Sequence, residues 1–145
     1  MKQELNKFSY TIYTDGGSRG NPGPSAYGFV VYDGNGKLIR EEGKTLGIQT
    51  NNYAEYTAII SSLKWIEENS KIESPTINIR MDSQLAARQL SGIYQVKNEV
   101  IRGLFFTIKV IIQRIKANVV YTHVPREQNK EADRMVNLAL DGLLK

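Results

Sequence analysis

The sequence predicts an α/β domain: a mixed five-stranded sheet, its first three strands antiparallel, flanked by helices. Three observations predict it. Strand-like and helix-like segments follow one another as β-β-β-α-β-α-α-β-α. A hairpin meander that gives way to alternating helices and strands is the pattern of such mixed sheets. Finally, 145 residues is the common size of one compact domain, so residues 1–145 are expected to share one core.

Phe8 to Thr14 (FSYTIYT) is rich in β-branched and aromatic residues and reads as a strand. It stops at Asp15-Gly16-Gly17, where a stretch to Ser25 with four glycines and two prolines reads as a loop. Tyr27 to Tyr32 reads as the second strand, and Lys37 to Leu46 as the third. Asp33-Gly34-Asn35-Gly36 between them is a hairpin turn signal, because these residues tolerate positive φ. Asn51 to Glu68 has helical spacing, with Tyr53, Ile59, Ile60, Leu63 and Ile66 recurring at three and four residues. Thr76 to Met81 alternates like a strand and leads into Asp82. Ser83 to Leu90 reads as a short helix and Asn98 to Lys116 as a longer amphipathic one. Asn118 to Val124 reads as the fifth strand and Asn129 to Leu144 as the last helix. Trp65 is expected to pack against the core rather than to stack on a base.

Composition narrows the function classes. Apolar residues make up 41% and charged residues 23%, ordinary for a globular chain and unlike a disordered one. There is no cysteine, which excludes disulfides and thiolate metal sites and fits a reducing cytoplasm. Met1 to Lys7 lacks the apolar core of a signal peptide, and no apolar run approaches a membrane span. A net charge of +4 and a pI near 9.3 suit a polyanionic partner.

Asp15 and Asp82 each follow a β-rich run, at the strand ends where ligands gather in open α/β sheets. Aspartate also ends strands and caps helices, and Asp82 equally reads as the cap of the helix opening at Ser83. Glu55 and Asp133 stand near helix starts, where the helix dipole favours acids. Both nevertheless lie among residues that should face the core, Ala54 and Ile59 in one case and Ala132 and Val136 in the other. Four converging carboxylates would repel and protonate unless divalent cations held them. Oxygen ligands, no Cys and a single His point to Mg²⁺ or Mn²⁺ rather than Zn²⁺. Two such ions roughly 3.5–4 Å apart can hold both the attacking and the leaving oxygen of a phosphodiester displacement.

Four ordered motifs carry a resemblance. TDGGSRGNPGPSAYGFVVYD resembles the first hairpin of type 1 ribonuclease H (ribonuclease HI). TNNYAEYTAIISSL is similar to that family's first helix, MDSQLA to its Asp-Ser-Gln motif, and HVPREQNKEADRMVN to its C-terminal His, Asn and Asp. The segments appear in family order from about Tyr10 to Leu140. The resemblance implies a ribonuclease H-like fold and an endonuclease acting on RNA–DNA hybrids. Asp15, Glu55, Asp82 and Asp133 would be the catalytic acids and ligands of two Mg²⁺ ions, with Mn²⁺ able to substitute. His123 would aid proton transfer or product release. Hydrolysis of the RNA strand would leave 5′-phosphate and 3′-hydroxyl ends. Gly16, Gly17 and Ser18, with Asn21, Asn51, Asn52, Gln84 and Asn129, would meet the substrate, reading the 2′-hydroxyl in the wide minor groove.

The chain departs from many bacterial members in one respect. Their basic, Trp-rich handle is replaced by the short Ser91–Lys97 segment, with one lysine. This looks like a compact branch, some of whose members also cut double-stranded RNA. Contacts to phosphates would then fall to Lys97, Arg102, Lys109 and Arg126. We expect a monomer with no hybrid-binding module before the domain; the initiator Met and clean C-terminus favour an independent enzyme over a detached reverse-transcriptase domain. Two alternatives differ in class: a catalytically idle hybrid- or RNA-binding domain, which the four intact acids oppose, and a DNA-acting nuclease of the same superfold, which the Asn-Asn and Asp-Ser-Gln elements oppose.

Overall fold

Residues 8–144 are described by a computed structural model; Met1 to Lys7, read above for a targeting signal, lie outside the described residues. The elements are β1 (Tyr10–Ser18), β2 (Gly23–Asp33), β3 (Leu38–Gln49), α1 (Asn51–Asn69), β4 (Thr76–Met81), α2 (Gln84–Leu90), α3 (Glu99–Ile115), β5 (Asn118–His123) and α4 (Lys130–Leu140). A 3₁₀ turn, Arg126–Gln128, precedes α4. The strands form one mixed sheet in the order β3-β2-β1-β4-β5. β1 to β3 are antiparallel, and β4 and β5 run parallel to β1. The expected class and element order are those observed.

Local chemistry explains the joints. In the β2–β3 hairpin, Asp33 Oδ1 accepts from the backbone N–H of Asn35 and of Lys37, both at 2.9 Å, and Gly36 takes φ +81°. The main core lies on one face of the sheet, where Ile12, Phe29, Ile77, Ile79 and Met81 meet Tyr56, Ile59, Leu63 and Ile66 of α1 and Ile108 and Ile111 of α3. Trp65 packs against this cluster, as expected. Among the described residues no helix is long and apolar enough to cross a membrane.

α4 covers the other face over β1 to β3, with Ala26, Val136 and Ala139 buried between them. It lies directly on the sheet backbone. A Cβ on Gly28 would come 2.6 Å from the Ala132 carbonyl oxygen and 2.8 Å from Met135 Cβ. Only a residue without a side chain allows this approach.

Several boundaries differ from expectation, among them the start of β2, at Gly23 and not Tyr27. β1 starts at Tyr10 and runs through Asp15, Gly16 and Gly17 to Ser18, because these residues pair with Gly28, Tyr27, Ala26 and Ser25 of β2. The glycine-rich loop therefore shrinks to residues 19–22. β3 continues past Leu46 to Gln49, pairing with Gly23. α4 stops at Leu140 because Gly142 takes φ +71° and the Leu143 N–H turns back to the Leu138 carbonyl, a left-handed stop that glycine favours.

Gly28→Ala tests the backbone-to-backbone seat of α4. The forced shift should lower stability by about 1–3 kcal/mol, read as a reduced midpoint in urea unfolding. An unchanged midpoint would mean that α4 has room to retreat.

Candidate metal centre

Strand register sets the first two acids side by side. The parallel ladder between β1 and β4 ends at Thr14 opposite Met81. The next residues are Asp15 and Asp82. β4 leaves the sheet there, whereas β1 continues against β2 alone, with Asp15 opposite Gly28. Asp15 thus marks where β1 loses one neighbour, not where the chain leaves the sheet. The cap of α2 belongs to Ser83, whose Oγ accepts from the Ala86 N–H at 3.1 Å. That frees the Asp82 carboxylate.

The third acid arrives from α1. A Cβ on Gly16 would lie 2.2 Å from the Ala54 carbonyl carbon and 2.3 Å from the Glu55 nitrogen, so the strand and the start of the helix touch through backbone. Thr50 caps α1, its Oγ1 accepting from the Tyr53 N–H. No acid lies in the first turn of α1, so the dipole does not account for Glu55. Carboxylate oxygens of Asp15, Glu55 and Asp82 lie within 4.8 Å of one another. Asp133, carried by α4, lines the same cleft of about 450 Å³ from the opposite side of the sheet end.

Electrostatics follow from that crowding. Asp15 is 8% exposed, and its carboxyl is pushed up to about 8, by burial first and then by the charges of Asp82 and Asp133. Burial likewise holds the Glu55 carboxyl well above the usual range, with Asp15 and Asp82 adding to it. Acids held in this way are discharged by protons or by a cation. The donors are all carboxylate oxygens, a hard set that fits a divalent cation. Asp15, Glu55 and Asp82 would hold it, with Asp133 beside them.

Gly16, Gly17, Ser18 and Asn51 line the cleft with the acids. Asn51 Oδ1 accepts from the Ser18 N–H at 2.8 Å and from the Ser18 hydroxyl at 3.1 Å, and the Asn51 N–H donates to Asn21 Oδ1 at 3.0 Å. Asn21 therefore acts on the cleft through Asn51. Asn52, Gln84 and His123 do not line it. Gln84 is the exposed first residue of α2, and His123 is the exposed last residue of β5, in register with Met81.

Asn129 departs most from its expected place at the substrate. It is 1% exposed. Its Nδ2 donates to the Thr14 carbonyl at 2.9 Å, and its own carbonyl accepts from the Asp133 N–H at 3.1 Å. It braces the residue before Asp15 against the helix that carries Asp133. Of the basic residues, Arg126 lines the cleft. Arg102 is turned to the Val96 carbonyl, and Lys109 lies 5.0 Å from the Phe105 ring centroid. Sequence reasoning missed Arg19 and Asn137, which also line the cleft. Asn137 Nδ2 lies 3.2 Å from the Asp133 carbonyl and 3.4 Å from its Oδ2. Its spacing of four residues from Asp133 on one helix was the signal that could have found it.

Two outcomes are expected of the metal-free protein. Asp15 ionises near 3.8 in the unfolded chain and near 8 in the folded one. The folded state is therefore unpenalised below pH 4 and loses stability as pH rises toward 8. Asp15→Asn should raise Tm at pH 8 by several degrees, at about 2–4 °C per kcal/mol, and the gain should vanish near pH 4. Thermal scans with EDTA at both pH values decide it; an equal gain at pH 4 would point to packing instead. Asn129→Ala should cost about 1–3 kcal/mol by stranding the Thr14 carbonyl, measured by urea unfolding.

Comparison with known proteins bears on this site. The family model described as RNase H matches residues 7–141. The chain is 40% identical over 129 residues to a ribonuclease HI of Halobacterium salinarum, covering 89% of this chain and 63% of that one. It is 37% identical to a bifunctional protein of Mycobacterium tuberculosis, covering 90% of this chain and 35% of that one. It thus spans less than two thirds of these curated relatives. Among solved structures, LC11-RNase H1 in complex with an RNA/DNA hybrid matches with a TM-score of 0.87 and 40% identity, covering 94% of this chain and 99% of that one. With the family model covering nearly its whole length, the chain belongs to the RNase H family.

Proposed function

We propose that this chain is an endonuclease that hydrolyses the RNA strand of RNA–DNA hybrids, with Asp15, Glu55, Asp82 and Asp133 holding two Mg²⁺ ions. One observation carries the reading: in a member of the RNase H family, three carboxylates from β1, α1 and the end of β4 converge within 4.8 Å. The hybrid is favoured as substrate because a relative of nearly the same length, 40% identical, is solved in complex with one. Magnesium is favoured by the all-oxygen donor set, and Mn²⁺ offers the same ligand chemistry.

When bound, the ions supply Lewis-acid activation of water and neutralise charge on the leaving oxygen. The chain's own residues position the substrate. Asn51 has its acceptor occupied by Ser18, which leaves its Nδ2 as a donor toward the cleft. The Gly16 to Ser18 backbone and Asn51 together form a wall that would meet ribose hydroxyls. Asn52 and Gln84 extend this wall beyond the cleft. Arg126 presents a guanidinium to a phosphate. His123, one strand away from Asp82, takes or returns a proton at the rim. Asn129 holds Asp15 and Asp133 in place from behind.

We further take residues 1–145 to be one such domain, working as a monomer in the cytoplasm, where a cysteine-free chain has no disulfides to lose.

The protein with Mg²⁺ should cut an RNA–DNA hybrid and leave the matched DNA duplex intact. Asp82→Asn should lower the rate by about 10²–10³ or more. Binding without cleavage would favour an idle hybrid-binding domain, and cleavage of the DNA duplex would favour a DNA nuclease. A matched RNA duplex in the same assay measures the side activity on double-stranded RNA. Arg126→Ala should reduce the slope of log affinity against log salt by about one unit.

A further inference from the structure

Among the described residues β5 is the last strand of the sheet and pairs with β4 alone. Its hydrogen-bonding phase is fixed at both ends: the Asn118 N–H donates to the Pro75 carbonyl at 2.9 Å, and the Val124 N–H to the Met81 carbonyl at 2.8 Å. Even-numbered residues from Asn118 to Val124 thus turn their peptide groups toward β4. Val119, Tyr121 and His123 turn theirs outward, because successive residues alternate direction along a strand. Among the described residues nothing pairs with the outer side of β5, which presents a row of backbone donors and acceptors.

A groove of about 590 Å³ runs beside that row, lined by Phe105, Ile112, Val119 and Tyr121 and flanked by Lys109 and Lys116. Neither lysine is among the ion pairs of the described residues, and Lys109 lies over the Phe105 ring. No carboxylate of the described residues lines the groove. Strand addition uses main-chain donors and acceptors and pockets for alternate side chains; this edge offers both, and the two lysines beside the apolar floor add a preference for negative charge.

We infer that the free edge of β5 docks an extended peptide segment that adds a sixth strand, placing apolar side chains on Phe105 and Ile112 and acidic ones at Lys109 and Lys116. Charge selects this occupant. A second copy of the chain would bring its own lysines to the same edge and be repelled, which is how lysines keep edges from self-pairing. An acidic strand carries no such penalty. The surface is separate from the carboxylate cleft, since the two share no lining residue, so the inference does not depend on the nuclease reading.

The probe is a blocked octapeptide alternating threonine with glutamate, isoleucine, leucine and glutamate, compared with a counterpart carrying lysine for glutamate. By fluorescence anisotropy the acidic peptide should bind and its basic counterpart should bind at least about tenfold more weakly. Lys109→Glu combined with Lys116→Glu should reverse that preference, as expected when two exposed ion pairs change sign. Hydrogen exchange gives the signature of strand addition. The acidic peptide should slow the amides of Val119, Tyr121 and His123 and leave those of Val120 and Thr122, already bonded to β4, unchanged. Val119→Pro removes one outward N–H without touching the β4 ladder and should weaken binding; its circular dichroism and Tm report whether it folds, and the lysine double variant carries the test if it does not. Equal binding of both peptides, protection without the odd–even alternation, or protection of the Val119 and Tyr121 amides by an RNA–DNA hybrid in place of the peptide would overturn the proposal.

Discussion

Mutual repulsion among carboxylates at one end of the sheet is the constraint around which the molecule is arranged. Asp15, Glu55 and Asp82 meet within 4.8 Å, and without a counter-ion each raises the cost of ionising the next. Nothing in such a cluster pulls it together, so the surrounding structure must push it together. The β1–β4 register does this for Asp15 and Asp82. For Glu55 it is the bare backbone of Gly16 against α1, and for Asp133 it is α4 pressed onto Gly28. Asn129 fixes α4 to β1 at the residue before Asp15. The hydrophobic clusters behind these contacts supply the free energy, since burying apolar surface is the large favourable term in folding.

A second economy lies in the helix ends. An aspartate or asparagine at a helix start is normally consumed by capping. Here neighbouring hydroxyls take that role: Ser83 caps α2 and Thr50 caps α1. Asp82 and Asn51, one residue before and one after those caps, keep their side chains for the cleft. Asn51 then spends its acceptor on Ser18 and its N–H on Asn21, which tie the loop after β1 to α1. Position in the helix start supplies proximity; the cap next door supplies freedom.

These same features separate what the sequence made legible from what it hid. Periodicity and turn chemistry were enough for the element order, since each rests on local residues such as Asp33 to Gly36. The four acids were expected through the resemblance that four ordered motifs carry, and all four line one cleft. Gly16 misled, because a glycine that permits close approach of another backbone looks like one that makes a turn. Asn129 was expected at the substrate through the resemblance alone; its bracing role was not legible, because a buried amide joining two elements 115 residues apart in sequence has no local signature. For Lys109, named among the phosphate contacts, only packing shows that its Nζ lies over the Phe105 ring, beside β5.

The chain's net charge of +4 does not describe its cleft. Four carboxylates line it against Arg126 and Arg19, and Arg19 is already paired with Asp141 at 2.7 Å. A nucleic-acid phosphate approaching that cleft meets a wall of carboxylates that only protons or cations discharge. In the proposed reaction, cation binding and substrate binding in the cleft are therefore coupled, and the coupling is reciprocal: whatever factor the cations add to the affinity for a phosphate, the phosphate adds to the affinity for the cations. Basic residues elsewhere on the surface can speed the encounter through the long-range field, but screening confines that help to low salt. Discrimination must then come from groups within reach of the sugar, the Gly16 to Ser18 backbone and Asn51, whose geometry the hydrogen bonds to Ser18 and Asn21 already fix before any substrate arrives.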